Sequence, residues 1–117
     1  YAAEPEKADD AARSLKAGKI IAYDAPQTVA DGLKVPLREY TWHFVSTYVT
    51  DILLASEEEI IDAMRLTWQR MKIVIEPSSA VPLATILRNR DVFAGKKVGV
   101  ILTGGNVDLD KLPWMSK

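Results

Sequence analysis

The chain contains no cysteine, which excludes a disulfide framework and any thiolate-held metal. That composition suits a cytosolic protein. No uninterrupted apolar run is long enough to span a bilayer, and no stretch resembles a signal peptide. Neither sign of charge dominates: 15 Lys and Arg stand against 16 Asp and Glu, a net charge of -1 with the single His43 counted neutral. Such a balance offers no field for nucleic acid or an anionic membrane. Repeats and low-complexity tracts are also missing.

What remains is a chain of 117 residues, 48% of them hydrophobic. This is enough for one packed domain rather than a disordered segment. It opens on Tyr1-Ala-Ala-Glu4, which reads as the end of a strand. The expectation is a piece of a longer polypeptide cut within a domain; the alternative is a processed mature domain.

The stretch that organises the rest is Lys97-Val-Gly-Val-Ile-Leu-Thr-Gly-Gly-Asn106. Val98 to Leu102 has the unbroken apolar character of a parallel strand covered on both faces. Gly104 and Gly105 then permit a sharp turn or a close backbone approach. A core strand followed by an ordinary turn explains the segment on its own. Ligands nevertheless bind at such strand ends in open α/β folds.

Taken in order, Tyr1 to Ala3 finish a strand, and Glu4-Pro5 leads into a loop because Pro5 disfavours helical geometry before it. Helical spacing of Ala8, Ala11, Ala12 and Leu15 predicts a helix over about Lys7–Lys16, stopped by Gly18. Lys19 to Tyr23 reads as a short strand, and Asp24 to Arg38 as loop, broken by Pro26 and Pro36, with Thr28 to Leu33 either one helical turn or a tight loop around Gly32. Thr41 is placed as the cap of a helix whose packing face is Trp42, Phe44, Val45, Tyr48 and Val49. Asp51 to Ser56 is a strand. Ser56 with Glu59 forms a capping box, and the helix it opens is expected to run to Val74, with Trp68 packing rather than stacking on a ligand. After Glu76-Pro77, a helix capped by Ser78 or Ser79 carries Pro82 in its first turn and a stripe of Val81, Ala84 and Leu87. Alternation of this kind predicts a layered α/β domain, a sheet with flanking helices.

Three clusters carry candidate chemistry. Glu4 at a strand end and Asp9 and Asp10 at a helix start offer hard oxygens for Mg²⁺ or Ca²⁺. Acidic residues at a helix start also answer the dipole without any ion. Glu76 follows apolar Val74-Ile75 and, if buried, needs donors or a proton; anchoring a loop is its plainer role. Thr103 places a hydroxyl at the mouth of a sheet, able to exchange a hydrogen bond with an aromatic nitrogen or a phosphate oxygen. The Gly104-Gly105 pair is too short for a dinucleotide or P-loop fingerprint.

As an ordered set, Ala3-Glu-Pro5, Ala8-Asp-Asp10, Thr28-Val-Ala-Asp-Gly-Leu33, Ile75-Glu-Pro77 and Leu102-Thr-Gly-Gly-Asn-Val-Asp-Leu109 resemble the C-terminal part of serine racemases. They equally resemble the related serine/threonine and 3-hydroxyaspartate dehydratases, fold-type II pyridoxal-phosphate enzymes. The resemblance implies that residues 1–117 are the C-terminal half of a large cofactor-binding domain, the N-terminal half and a small domain lying outside this chain. It implies pyridoxal phosphate and Mg²⁺ (or Mn²⁺ or Ca²⁺) as cofactors, with Thr103 beside the pyridine nitrogen and Gly32 and Glu76 near the cofactor. Glu4, Asp10 and the Ala8 carbonyl become metal ligands, and Asp31 supports the ion's water shell. Asn106 falls in an adenine-nucleotide (ATP) effector region. No catalytic residue is assigned within the chain, because the Schiff-base lysine and phosphate cup precede Tyr1. The implied reaction is α-proton removal and loss of the β-hydroxyl from serine, threonine or 3-hydroxyaspartate, giving keto acid and ammonia. Reprotonation on the opposite face gives racemisation. A cytoplasmic homodimer is also implied, and the segment alone should be inactive. The alternative is a non-catalytic binding or regulatory module derived from the same fold.

Overall fold

The computed structural model describes residues 1–21 and 25–115. Two short strands, β1 (Ala2–Pro5) and β2 (Ile52–Ala55), pair in parallel, with Ala2 opposite Ile52 and Pro5 opposite Ala55. A parallel pair cannot be joined by a tight turn and needs a long crossover. Here the crossover holds α1 (Asp10–Ala17), a 3-10 turn at Asp31–Leu33 and α2 (Glu39–Tyr48). After β2 come α3 (Glu57–Met71), α4 (Pro77–Arg88) and the short α5 (Arg90–Phe93). The layered α/β expectation holds, with a small parallel sheet and helices flanking it.

The best-defined element is α3, and its start follows directly from the sequence. Ser56 Oγ accepts from the Glu59 amide at 3.2 Å, and Glu59 Oε2 accepts from the Ser56 amide at 2.8 Å. The capping box thereby satisfies two amides that a helix start leaves unpaired. Ile60, Ala63, Met64 and Thr67 form its buried face. Ile60, Ala63 and Met64 pack with Ala80, Val81 and Ala84 of α4, and with Ala55, Ile75 and Ala30, in the main core. Ile60, Met64 and Val81 are wholly buried, each contributing about 1.5–3 kcal/mol. Trp68 acts as a packing residue, as expected: its Nε1 donates to the Ile75 carbonyl at 2.9 Å and its ring meets Trp114 edge-on at 5.3 Å. A second core gathers Ala11 and Ala12 of α1 with Ile52.

Several boundaries differ from the sequence reading. α1 begins at Asp10, not Lys7, and Gly18 ends it in the left-handed region at φ 68°. α2 is capped from Arg38, with Thr41 inside its first turn, where Thr41 Oγ1 accepts from the Arg38 amide at 3.0 Å. Its supposed packing face is only half right, since Val45 and Val49 join the second core while Phe44 and Tyr48 stay exposed. α3 ends at Met71 because Lys72 turns left-handed, at φ 59°, and so Ile73 and Val74 lie outside it. In α4 neither serine caps by its side chain. Glu76 is the N-cap and Pro77 the first residue, and Pro82 lies inside the helix rather than in its first turn. Lys19 to Ile21 carry no strand, and the remainder of that expected element lies outside the described residues. Val98 to Leu102 carry no strand either. A buried parallel strand needs ladder partners, and β1 and β2 pair only with each other among the described residues. Val98 and Ile101 are consequently exposed, beside an open groove of about 510 Å³ that separates this segment from β1.

Candidate functional site

The first turn of α4 is where the expected cofactor-side residues meet. Pro77 fixes the helix start, because its ring presets φ and its missing amide hydrogen costs nothing at that position. From there Ser78 reaches one loop and Ser79 another. The Gly32 amide donates to Ser78 Oγ at 3.1 Å. Ser79 Oγ lies 3.0 Å from Thr103 Oγ1, 2.7 Å from the Gly104 carbonyl, and 2.8 Å from the Gly104 amide that donates to it. The Glu76 amide donates to the Gly104 carbonyl at 3.1 Å. Gly32, Glu76 and Thr103, scattered over the sequence, thus share one helix N-terminus.

The glycines at this junction sit in close contact with it, and at Gly105 the contact is with backbone. A Cβ on Gly105 would sit 2.7 Å from the Val74 carbonyl oxygen, and one on Gly104 would sit 2.9 Å from Glu76 Oε1. A Cβ on Gly32 would lie 2.9 Å from Ser78 Oγ. Thr103 itself is exposed while Ser79 behind it is fully buried. The result is a hydroxyl held from behind and open in front.

The acidic cluster lies at the other end of the chain. Glu4 projects from β1 onto the start of α1, where its Oε2 accepts from the Ala12 amide at 2.8 Å and its Oε1 from the Ala11 amide at 3.3 Å. Asp10 is buried, and its Oδ2 accepts from the Leu37 amide at 3.1 Å. Ala8 is buried as well, and among the described residues no donor reaches its carbonyl. Burial pushes the Glu4 carboxyl up to about 7, with the charges of Asp10 and Asp9 adding and the two amide bonds opposing. Glu4 and Asp10 are therefore brought close enough to feel each other. No group of three or more His, Cys, Asp or Glu suited to a metal ion occurs among the described residues. Asp31 opens the 3-10 turn, and Asn106 is exposed; among the described residues neither side chain makes a hydrogen bond that ties it to these clusters.

Two residues of the site escaped the sequence reading. Ser79 was visible only as a helix cap, although it is the link to Thr103. Glu57 was visible only as part of the acidic first turn of α3. Its Oε2 accepts from the Val29 amide at 2.6 Å, fixing the loop that bears Gly32, while its Oε1 is buried without a partner. The signal for both is a polar residue in a helix's first turn, a pattern too common to single out without the fold.

Comparison with known proteins places these features in a family setting. The family described as pyridoxal-phosphate dependent enzyme matches residues 1–104. The chain is 71% identical over 113 residues to a β-hydroxyaspartate dehydratase of Paracoccus denitrificans, covering 97% of this chain and 36% of that protein. Among solved structures, maize serine racemase superposes with a TM-score of 0.86 at 40% identity, over 97% of this chain and 36% of the other. The serine racemase of Dictyostelium discoideum gives 0.83 at 46% identity, over 91% and 34%. The chain thus spans about a third of the length of the relatives it matches. No helix among the described residues is long and apolar enough to cross a membrane.

Proposed function

The chain belongs to the pyridoxal-phosphate dependent enzyme family, and from that premise we propose that the complete protein uses pyridoxal phosphate to dehydrate a β-hydroxy amino acid, releasing a keto acid and ammonia. The observation that carries this reading is the meeting of Gly32, Glu76 and Thr103 at the first turn of α4. Likeness to the Paracoccus dehydratase puts 3-hydroxyaspartate ahead of serine and threonine as substrate. Likeness to serine racemases adds racemisation as a side reaction.

The residues present fit such a cofactor. Thr103 offers an open hydroxyl braced from behind, and the backbone at Gly105 is packed too closely against the Val74 carbonyl for a side chain. In this reading Thr103 would hold the ring nitrogen, with Gly32 and Glu76, joined to the same helix turn, near it. When bound, pyridoxal phosphate supplies a sink for the electrons left at the substrate's α-carbon after proton loss. A neutral hydroxyl at the ring nitrogen does not enforce a positive charge there, which suits elimination. In this reading the N-terminal half of the large domain and the small domain complete the site, since the chain spans about a third of its relatives, and the 117-residue chain alone should be inactive.

The acidic cluster fits a divalent cation. Glu4, Asp10 and the Ala8 carbonyl are hard oxygen donors of the kind Mg²⁺, Mn²⁺ and Ca²⁺ take, and Asp31 serves the ion's water shell. The raised Glu4 carboxyl and the Ala8 carbonyl, which no donor reaches among the described residues, both support this. A cation there neutralises the buried Asp10 and the half-buried Glu4 and fastens β1 to α1. A cytoplasmic homodimer, with Asn106 in an ATP effector site, completes the proposal.

The test is a titration of the full polypeptide with pyridoxal phosphate, followed by visible absorbance. A saturable cofactor band, altered by Thr103→Val and missing from the 117-residue chain, supports the reading. A full polypeptide that acquires no band contradicts it and favours a non-catalytic binding or regulatory module.

A further inference from the structure

A hydroxyl group has one proton and two lone pairs, so its partners decide where the proton points. Ser79 is fully buried, and its Oγ meets three groups, none of them charged. The Gly104 amide donates to it at 2.8 Å and occupies one lone pair. The single Ser79 proton then has two destinations: the Gly104 carbonyl at 2.7 Å or Thr103 Oγ1 at 3.0 Å. The carbonyl does not depend on it, because the Glu76 amide already donates there at 3.1 Å.

The two settings present different faces to a ligand. With the Ser79 proton on the carbonyl, Thr103 keeps its contact only by donating inward, and it offers lone pairs outward. With the Ser79 proton on Thr103 Oγ1, the Thr103 proton is free to point outward. No other hydrogen bond holds Thr103 among the described residues, and the residue is exposed. Ser79 is also the third residue of α4, where the positive end of the helix dipole makes a hydroxyl a better donor.

We propose that Ser79 is a positioning residue that donates to Thr103 Oγ1, so that the Thr103 hydroxyl donates outward to the unprotonated ring nitrogen of the cofactor. The relay runs from the Gly104 amide to Ser79 Oγ, from the Ser79 hydroxyl to Thr103 Oγ1, and from the Thr103 hydroxyl to the ring. No covalent bond forms or breaks. Each hydrogen bond polarises the next and strengthens it. A protonated ring selects the opposite setting, in which Thr103 accepts. The inference rests on the reading, given above, that Thr103 faces the ring nitrogen.

The full polypeptide loaded with pyridoxal phosphate labelled with nitrogen-15 in the ring tests both steps through the nitrogen chemical shift. Thr103→Val should move the resonance to that of a ring nitrogen lacking a donor, and Ser79→Ala, which leaves the Thr103 donor but not the bond that polarises it, should move it part of the way. Ser79→Ala should also weaken cofactor binding about fivefold, the ratio expected of one hydrogen bond. Ser79→Cys keeps nearly the same volume with a weaker donor, so it should give an intermediate shift, and it decides the matter where Ser79→Ala does not fold. If Thr103→Val moves the resonance and the Ser79 variants leave it in place, the relay is overturned and the Thr103 assignment stands. An unmoved resonance in Thr103→Val overturns the assignment and the relay together. A wild-type resonance in the pyridinium range overturns the outward donor.

Discussion

The Ala12 amide donates to Glu4 Oε2 at 2.8 Å, so a carboxylate on β1 closes the N-terminus of α1. Asp9, the helix's own N-cap residue, makes no capping bond; it pairs instead with Arg13 at 2.8 Å. Strand and helix are thereby joined through a half-buried acid with acidic neighbours.

That junction predicts a pH dependence. The Glu4 carboxyl is raised from 4.5 to about 7 in the folded chain, so the native state keeps its proton to higher pH than the unfolded one. The stabilising contribution is full below about 4.5 and is lost as pH rises toward about 7. In metal-free buffer, urea midpoints should fall across that window in the wild type and fall less in Glu4→Gln. Mg²⁺ should flatten the wild-type profile by favouring the carboxylate. Equal slopes in the two proteins contradict the account.

The glycines predict a graded series. Gly105→Ala forces a Cβ to within 2.7 Å of a backbone oxygen and should cost about 1–3 kcal/mol. Gly104→Ala meets the end of the Glu76 side chain instead, so it should cost less stability while displacing that carboxylate from the site. Gly99→Ala, with nothing within 4 Å, should be close to neutral. Denaturation of the three variants checks the order, and a Gly105→Ala protein as stable as Gly99→Ala is the contrary result.

Glu57 predicts a local effect rather than a global one. Its bond to the Val29 amide, at 2.6 Å, ties the loop bearing Gly32 to the start of α3. Glu57→Ala should speed hydrogen exchange at Val29 by at least tenfold, the ratio expected when a charge-assisted bond of about 1.5–3 kcal/mol is lost. Exchange in the buried helix around Met64 should change less. Unaltered protection at Val29 removes the tether from the account.

The capping box and the ion pairs beside it should separate by magnitude. Ser56→Ala should cost about 1 kcal/mol. Arg88 meets Glu59 at 3.2 Å and Glu6 at 2.5 Å, but all three side chains are substantially exposed. A double-mutant cycle on Arg88 and Glu59 should therefore give a coupling below about 1 kcal/mol. A larger coupling than the Ser56→Ala loss reverses the ranking.

Local chemistry made some of this fold legible and tertiary pairing hid the rest. The Ser56–Glu59 box and the Gly18 stop could be read directly because their determinants lie within a few residues. The end of α3 could not, since nothing in the sequence marks Lys72 for a left-handed turn. Val98 to Leu102 reads as strand from its apolar run, yet a strand is defined by neighbours, and among the described residues none pairs with it. At the site, Thr103, Gly32 and Glu76 were identified by family resemblance, not by periodicity. Their convergence on α4, and the part played by Ser79, depend on hydrogen bonds between residues as far as 46 positions apart.

The central claim is dehydration by the cofactor-loaded protein, and its most direct measurement is the product balance with 3-hydroxyaspartate. The account predicts keto acid and ammonia in equal amounts, dependent on pyridoxal phosphate and lowered in Thr103→Val. Quantitative recovery of unchanged substrate from fully loaded polypeptide would contradict it.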